Sequence, residues 1–119
     1  MKTELQKRIF DFVVEVIKFL RTLPDTQEYY VIKNQLIKSS TSTGANYEEA
    51  QGASSKADFT YKNEISLREM RETNYWLRLI KEISTGIKID WDRLDYLINE
   101  SGELKLILGS IVSKSKRNQ

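Results

Sequence analysis

The sequence predicts an all-α protein, a single antiparallel, up-and-down four-helix bundle over residues 1–119. Three observations carry that expectation. Apolar residues recur with a period near 3.6 in four separate segments. No stretch of strand length alternates apolar and polar residues. Brief stop signals at Leu23-Pro24, Gly52 and Thr85-Gly86 part the segments, and none is long enough to be a linker between domains.

The first helix is expected from about Thr3 to Thr22, ending there because the residue before Pro24 avoids the α region. At 100° per residue, Leu5, Ile9, Phe12, Val16, Phe19, Leu20 and Leu23 form one stripe. Phe10, Val13, Val14 and Ile17 form a second stripe beside it, and Glu4, Lys7, Arg8, Asp11, Glu15 and Lys18 crowd into the remaining face. An edge helix of a bundle needs about a third to a half of its circumference apolar, and this one exceeds half. The second stripe is therefore expected to face another subunit. The alternative is a central helix within its own bundle.

Asp25-Thr26-Gln27-Glu28 has capping-box spacing and launches a second helix through Tyr29, Ile32 and Leu36 to about Gly52. Its middle, Ser39-Ser40-Thr41-Ser42-Thr43-Gly44-Ala45-Asn46, consists of poor helix formers. Small side chains let backbones approach, and Ser and Thr hydroxyls can bond back to carbonyls one turn earlier. The stretch reads as a kinked or closely packed helix middle with Gly44 at the tightest approach, a ligand loop being the alternative. Ser55-Lys56-Ala57-Asp58 opens a long third helix to about Ser84, closed by Gly86. Phe59, Ser66, Met70, Thr73, Leu77 and Ile80 share its inner face. Ile65, Trp76 and Ile83 lie to one side near Glu69 and Glu72. Asp90 or Asp92 starts a fourth helix with Leu94, Leu97, Ile98, Ser101, Leu104, Leu108 and Ile111 as its core stripe. The basic tail, residues 114–119, is expected to fray.

Composition excludes several chemistries. The chain has neither cysteine nor histidine. That removes disulfides, thiolate zinc sites, cysteine nucleophiles, the Ser-His-Asp relay and the usual general base near neutral pH. A di-iron bundle site needs Glu-x-x-His pairs, so Glu48, Glu49, Glu64, Glu69 and Glu72 do not make one. No phosphate-cradling glycine loop occurs. No cofactor is expected. The apolar stretch of the first helix is broken by Asp11, Glu15 and Lys18, so neither a signal peptide nor a membrane span is expected and the cytoplasm is the default location. A net charge of +2 gives a weak overall field, so nucleic-acid attraction needs a local patch.

One such patch is visible. Arg68, Arg71, Tyr75 and Arg78 share a face of the third helix. Arginine can pair bidentately with phosphate, and tyrosine can stack on an unpaired base. Glu64–Arg68 and Arg78–Glu82 at i,i+4 would neutralise the same face, which is the competing reading. Lys114, Lys116 and Arg117 in the tail are a second candidate contact.

Residues 35–50, Gln35-Leu36-Ile37-Lys38-Ser39-Ser40-Thr41-Ser42-Thr43-Gly44-Ala45-Asn46-Tyr47-Glu48-Glu49-Ala50, resemble the QL-R-SA-SI-ANI-EA signature of the 23S rRNA-intervening-sequence proteins. These are also called four helix bundle or S23-type proteins. Ser55-Lys56-Ala57-Asp58-Phe59 and Leu67-Arg68-Glu69-Met70-Arg71-Glu72-Thr73-Asn74-Tyr75-Trp76-Leu77 resemble the family's S-x-x-(D/E)-F and L-E-x-x-E-x-x-(Y)-W-L patterns. Gly44 stands where many relatives have proline. The resemblance implies small bacterial four-helix subunits that assemble into rings, typically pentamers, with no established enzymatic activity. A related group consists of pentameric accessory proteins of diversity-generating retroelements, which bind nucleic acid and a reverse transcriptase. The expected function is a non-enzymatic homo-oligomer contacting RNA or another nucleic acid. A protein-interaction scaffold without nucleic-acid binding is the rival.

Overall fold

A computed structural model describes residues 3–118. It has four helices and, among the described residues, no strand: α1 Glu4–Leu20, α2 Gln27–Gln51, α3 Lys56–Ile83 and α4 Trp91–Arg117. Helix α1 packs on α2 and α4, and α3 packs on the same two, so α1/α3 and α2/α4 are the diagonals. Cross-helix bonds show that chain neighbours run antiparallel: Gln6 to Glu48, Ser39 to Thr73, and Asn74 to Ser101. The bundle measures 49 × 26 × 21 Å, a length set by its three long helices.

The local sequence explains most helix ends. Thr3 and Gln6 form a reciprocal capping box. Ser55 accepts the Asp58 N–H at 3.0 Å, and Asp90 accepts that of Arg93 at 3.0 Å. Gly86 has φ +82°, which glycine adopts without strain. Two expectations are corrected. Helix α2 is capped at Thr26 rather than Asp25, with no side-chain cap bond, and the Asp25 carboxylate pairs with Lys33 at 3.1 Å. The expected fraying from Lys114 does not occur, since α4 stays helical to Arg117; Gln119 lies outside the described residues. Ser115 is buried and hydrogen-bonds Thr60, and Lys56 donates to the Asn118 carbonyl, so the last turn is tied to the start of α3.

The core is apolar through Ile9, Phe12, Val16, Leu36, Met70, Leu77, Leu97, Leu104 and Leu108. A set of buried polar pairs runs through it. The Tyr29 and Ser84 hydroxyls meet at 2.6 Å, and Thr73 donates to Ser39 at 2.9 Å. Ser66 donates to the Thr43 carbonyl, and Asn74 donates to Ser101 and the Ile98 carbonyl. Each buried group thereby avoids the cost of an unmade bond. Thr60, Asn63 and Asn74 are buried on α3 although the apolar pattern had not placed them there. The Ser/Thr-rich middle of α2 is continuous helix. Thr41, Thr43 and Asn46 donate back to Ile37, Ser39 and Ser42 carbonyls at 2.6–2.9 Å.

Candidate interaction surfaces

Among the described residues no group of three or more acidic side chains is placed to hold a metal ion, and no helix is long and apolar enough to cross a membrane. The surfaces therefore carry the functional argument. Three stand out.

The first is on α1. Its inner stripe is buried as expected, except that Leu5 is half-buried. The charged face is divided. Arg8 reaches α4, where Nε and Nη2 each lie 2.8 Å from the Glu100 carboxylate and Nη2 lies 2.9 Å from Glu103. Glu15 pairs with Arg93 of α4 at 2.9 Å. These contacts roll part of the polar face of α1 against α4 and leave the second stripe, Phe10, Val13, Val14 and Ile17, only partly covered, with Val13 packed against the core. Phe10 is 52% exposed and the other three are half-buried. The Glu100 bond raises the Arg8 pKa, outweighing the opposing effect of burial. A groove of about 420 Å³ opens between α1 and α2, lined by Gln6, Ile9, Phe10, Val13, Thr41, Gly44, Ala45, Tyr47 and Glu48.

The second surface is basic and lies between α3 and α4. Arg68, Arg71 and Lys116 line one groove of about 570 Å³ with Glu64, Leu67, Gly109, Val112 and Ser113. Helix pairing thus brings together two arginines and a tail lysine that lies 45 and 48 residues from them in sequence. Tyr75 and Arg78 continue the row along α3, with the guanidinium 5.9 Å from the tyrosine ring centre. Lys114 and Arg117 are exposed but do not line this groove. The expected i,i+4 pairs are replaced. Glu64 bonds Lys116 at 3.0 Å, Arg78 Nε donates to Asn74 at 2.9 Å, and Arg68 lies 3.8 Å from Glu69. Cross-helix partners and a buried amide outcompete same-helix pairs, which contribute only about 0.2–0.5 kcal/mol each.

The α3 side of the third surface, Trp76 and Ile83 near Glu69 and Glu72, is the lateral group read from sequence, whereas its α2 side was not singled out. Gln27, Glu28, Val31 and Ile32 of α2 and Trp76 and Leu79 of α3 line an apolar groove of about 450 Å³. Val31 is 50% exposed, and Ile83 adds to the same edge of α3. The Trp76 Nε1–H donates to Glu72 at 3.1 Å. Burial and the Glu72 charge push the Glu69 pKa up, while Arg68 opposes this. Backbone N–H bonding in the first turn of α2 and a bond from Thr26 pull the Glu28 pKa down.

Comparison with known proteins agrees with the fold. Residues 1–109 match the model of a family described as 23S rRNA-intervening sequence protein. A crystal structure of a protein with unknown function from the S23 ribosomal protein family of Bacteroides thetaiotaomicron VPI-5482 superposes with a TM-score of 0.79 at 33% identity, covering 91% of this chain and 97% of that one. Among curated proteins, none matches.

Proposed function

Because the chain belongs to the 23S rRNA-intervening sequence protein family, we propose that it acts as a non-enzymatic, cytoplasmic binding subunit. It self-associates through α1 into a ring-like oligomer, a pentamer by family resemblance, and uses the α3/α4 groove to contact RNA or another nucleic acid. The observation that carries the self-association is the roll of α1. A helix whose charges pair inward with Glu100 and Arg93, while Phe10 is exposed and Val14 and Ile17 are only partly covered, has apolar area left for a further partner. Nucleic-acid contact is supported by the groove that Arg68, Arg71 and Lys116 line together, since arginine can pair bidentately with phosphate. Copies in a ring repeat that groove and so raise its avidity.

Fluorescence anisotropy with structured rRNA fragments across a salt series tests the binding. Replacing Arg68 and Arg71 by glutamine should weaken binding and lower the salt slope by about 0.7–0.9 per lost phosphate contact. Arg78 is left intact, because it braces the buried Asn74. An unchanged affinity and slope would remove this groove as the site. The rival reading, a protein-interaction scaffold, is favoured by the engagement of Lys116 with Glu64 and of Arg78 with Asn74. It takes over if the intact protein binds no RNA or DNA at low salt. Sedimentation of the intact protein as a monomer at micromolar concentration would remove the oligomer.

A further inference from the structure

The self-association proposed above leaves open which surface receives the α1 row, and the inference that follows rests on that reading. We infer that the outer α1 row of one copy seats in the α2/α3 groove of the next copy, a head-to-tail contact between two different faces of the chain.

Both faces are apolar, and their charges are complementary. The α1 row, Val13, Val14 and Ile17 with Phe10, is flanked on its outer side by Lys7, Lys18 and Arg21. Lys7 is held by Asp11 at 2.7 Å, which leaves Lys18 and Arg21 as the exposed cations along the row. The receiving groove has Val31, Trp76 and Leu79 at its centre, with Glu28 at one end and Glu72 and Glu69 beyond Trp76. Arg68, 3.8 Å from Glu69, and Lys38, next to the Ser39 that meets Thr73, bring positive charge to the Glu69 and Glu72 end, while the Glu28 end has none beside it in the groove lining. Backbone N–H bonding at the start of α2 lowers the Glu28 pKa, and Glu69 sits partly dehydrated next to a second carboxylate. An incoming cation would relieve that repulsion, and an apolar row would cover Val31 and Leu79.

Position adds a second argument. The α1 row borders the α1/α2 side of the bundle, where Phe10 and Val13 line the groove with Thr41 and Ala45. The receiving groove lies on the adjacent α2/α3 side. Adjacent sides of a four-helix bundle face about 90° apart. With bundle axes parallel, a contact repeated at that angle turns back on itself and closes after about four copies rather than running on as a filament.

Two variants and their mixture test this. Val14→Gln/Ile17→Gln disables the row, and Val31→Gln/Leu79→Gln disables the groove. Circular dichroism verifies the helices of each, and Val31→Gln alone serves if the groove pair does not fold. By sedimentation velocity, each variant alone should be a monomer of 13.9 kDa. An equimolar mixture should give a capped heterodimer of twice that mass, since one intact row meets one intact groove. If the groove variant keeps the size of the intact oligomer, or the mixture stays monomeric, the head-to-tail pairing is overturned and self-association through α1 still stands. If the intact protein is itself a monomer, both readings fall.

Discussion

Gly44→Ala is expected to stabilise the protein, although the small-residue stretch around it reads as a place where only glycine fits. Gly44 lies in the interior of α2, where glycine costs about 0.8–1.0 kcal/mol relative to alanine. A Cβ placed there lies 3.4 Å from Val13 Cγ2 and 3.9 Å from Ile9 Cγ2, which is contact rather than overlap. Gly102 and Gly109 in α4 have nothing within 4 Å of the equivalent atom, so their alanine variants report helix propensity alone. Each of those should gain about 1 kcal/mol. The Gly44 methyl is also half-covered by Ile9 and Val13, which adds about 0.4 kcal/mol, half the value of a buried methylene. A total near 1.4 kcal/mol should raise Tm by about 5–6 °C in a domain of this size. Thermal unfolding followed at 222 nm, with all four proteins at one concentration, measures it, because association makes Tm depend on concentration. A Gly44→Ala protein less stable than the parent, alongside stabilised Gly102 and Gly109 variants, would refute the reasoning. It would mean that α1 and α2 touch more closely than a methyl allows.

Two further predictions concern charge. Arg8→Ala removes the bidentate partner of Glu100, whose side chain is only 11% exposed, and should cost about 2–3 kcal/mol in urea unfolding at pH 7. Lys81→Ala breaks a pair with Asp95 in which both groups are half exposed, and should stay within about 0.5 kcal/mol. Glu69 predicts a pH dependence. Its folded pKa lies above the ordinary 4.5, so the folded state binds the proton more tightly than the unfolded state does. The group therefore subtracts stability as pH rises from 4.5 through its folded pKa. Glu69→Gln should raise Tm relative to the parent at pH 7 and lose that advantage by about pH 4. An advantage of equal size at both pH values would show that the carboxylate's charge is not the cause.

The helices were legible because their determinants are local. Thr3 with Gln6, Ser55 with Asp58, and Asp90 with Arg93 are contacts three residues apart, readable from spacing. The inner stripes of α1 and α4 follow from a 3.6-residue period that needs no knowledge of neighbours. Asp25 misled because Thr26, one residue later, takes the N-cap position, while the Asp25 carboxylate reaches Lys33 two turns into α2. The basic tail misled too, since its last turn is ordered by Thr60 and Lys56 of another helix.

Four amphipathic helices, their ends to within a few residues, and the second apolar stripe of α1 all follow from local pattern. Which way each side chain of that stripe looks came with the packing of the helices. The roll of α1 depends on Arg8 and Glu15 finding Glu100, Glu103 and Arg93, and no periodicity within α1 contains that information. The grouping of Arg68 and Arg71 with Lys116, and of Val31 with Trp76, depends on the register between antiparallel helices. That register is fixed by buried pairs such as Ser39–Thr73, Asn74–Ser101 and Thr60–Ser115, whose partners lie 27–55 residues apart. Each such polar pair must meet in space to offset its own desolvation, and a one-dimensional pattern does not specify which partners do.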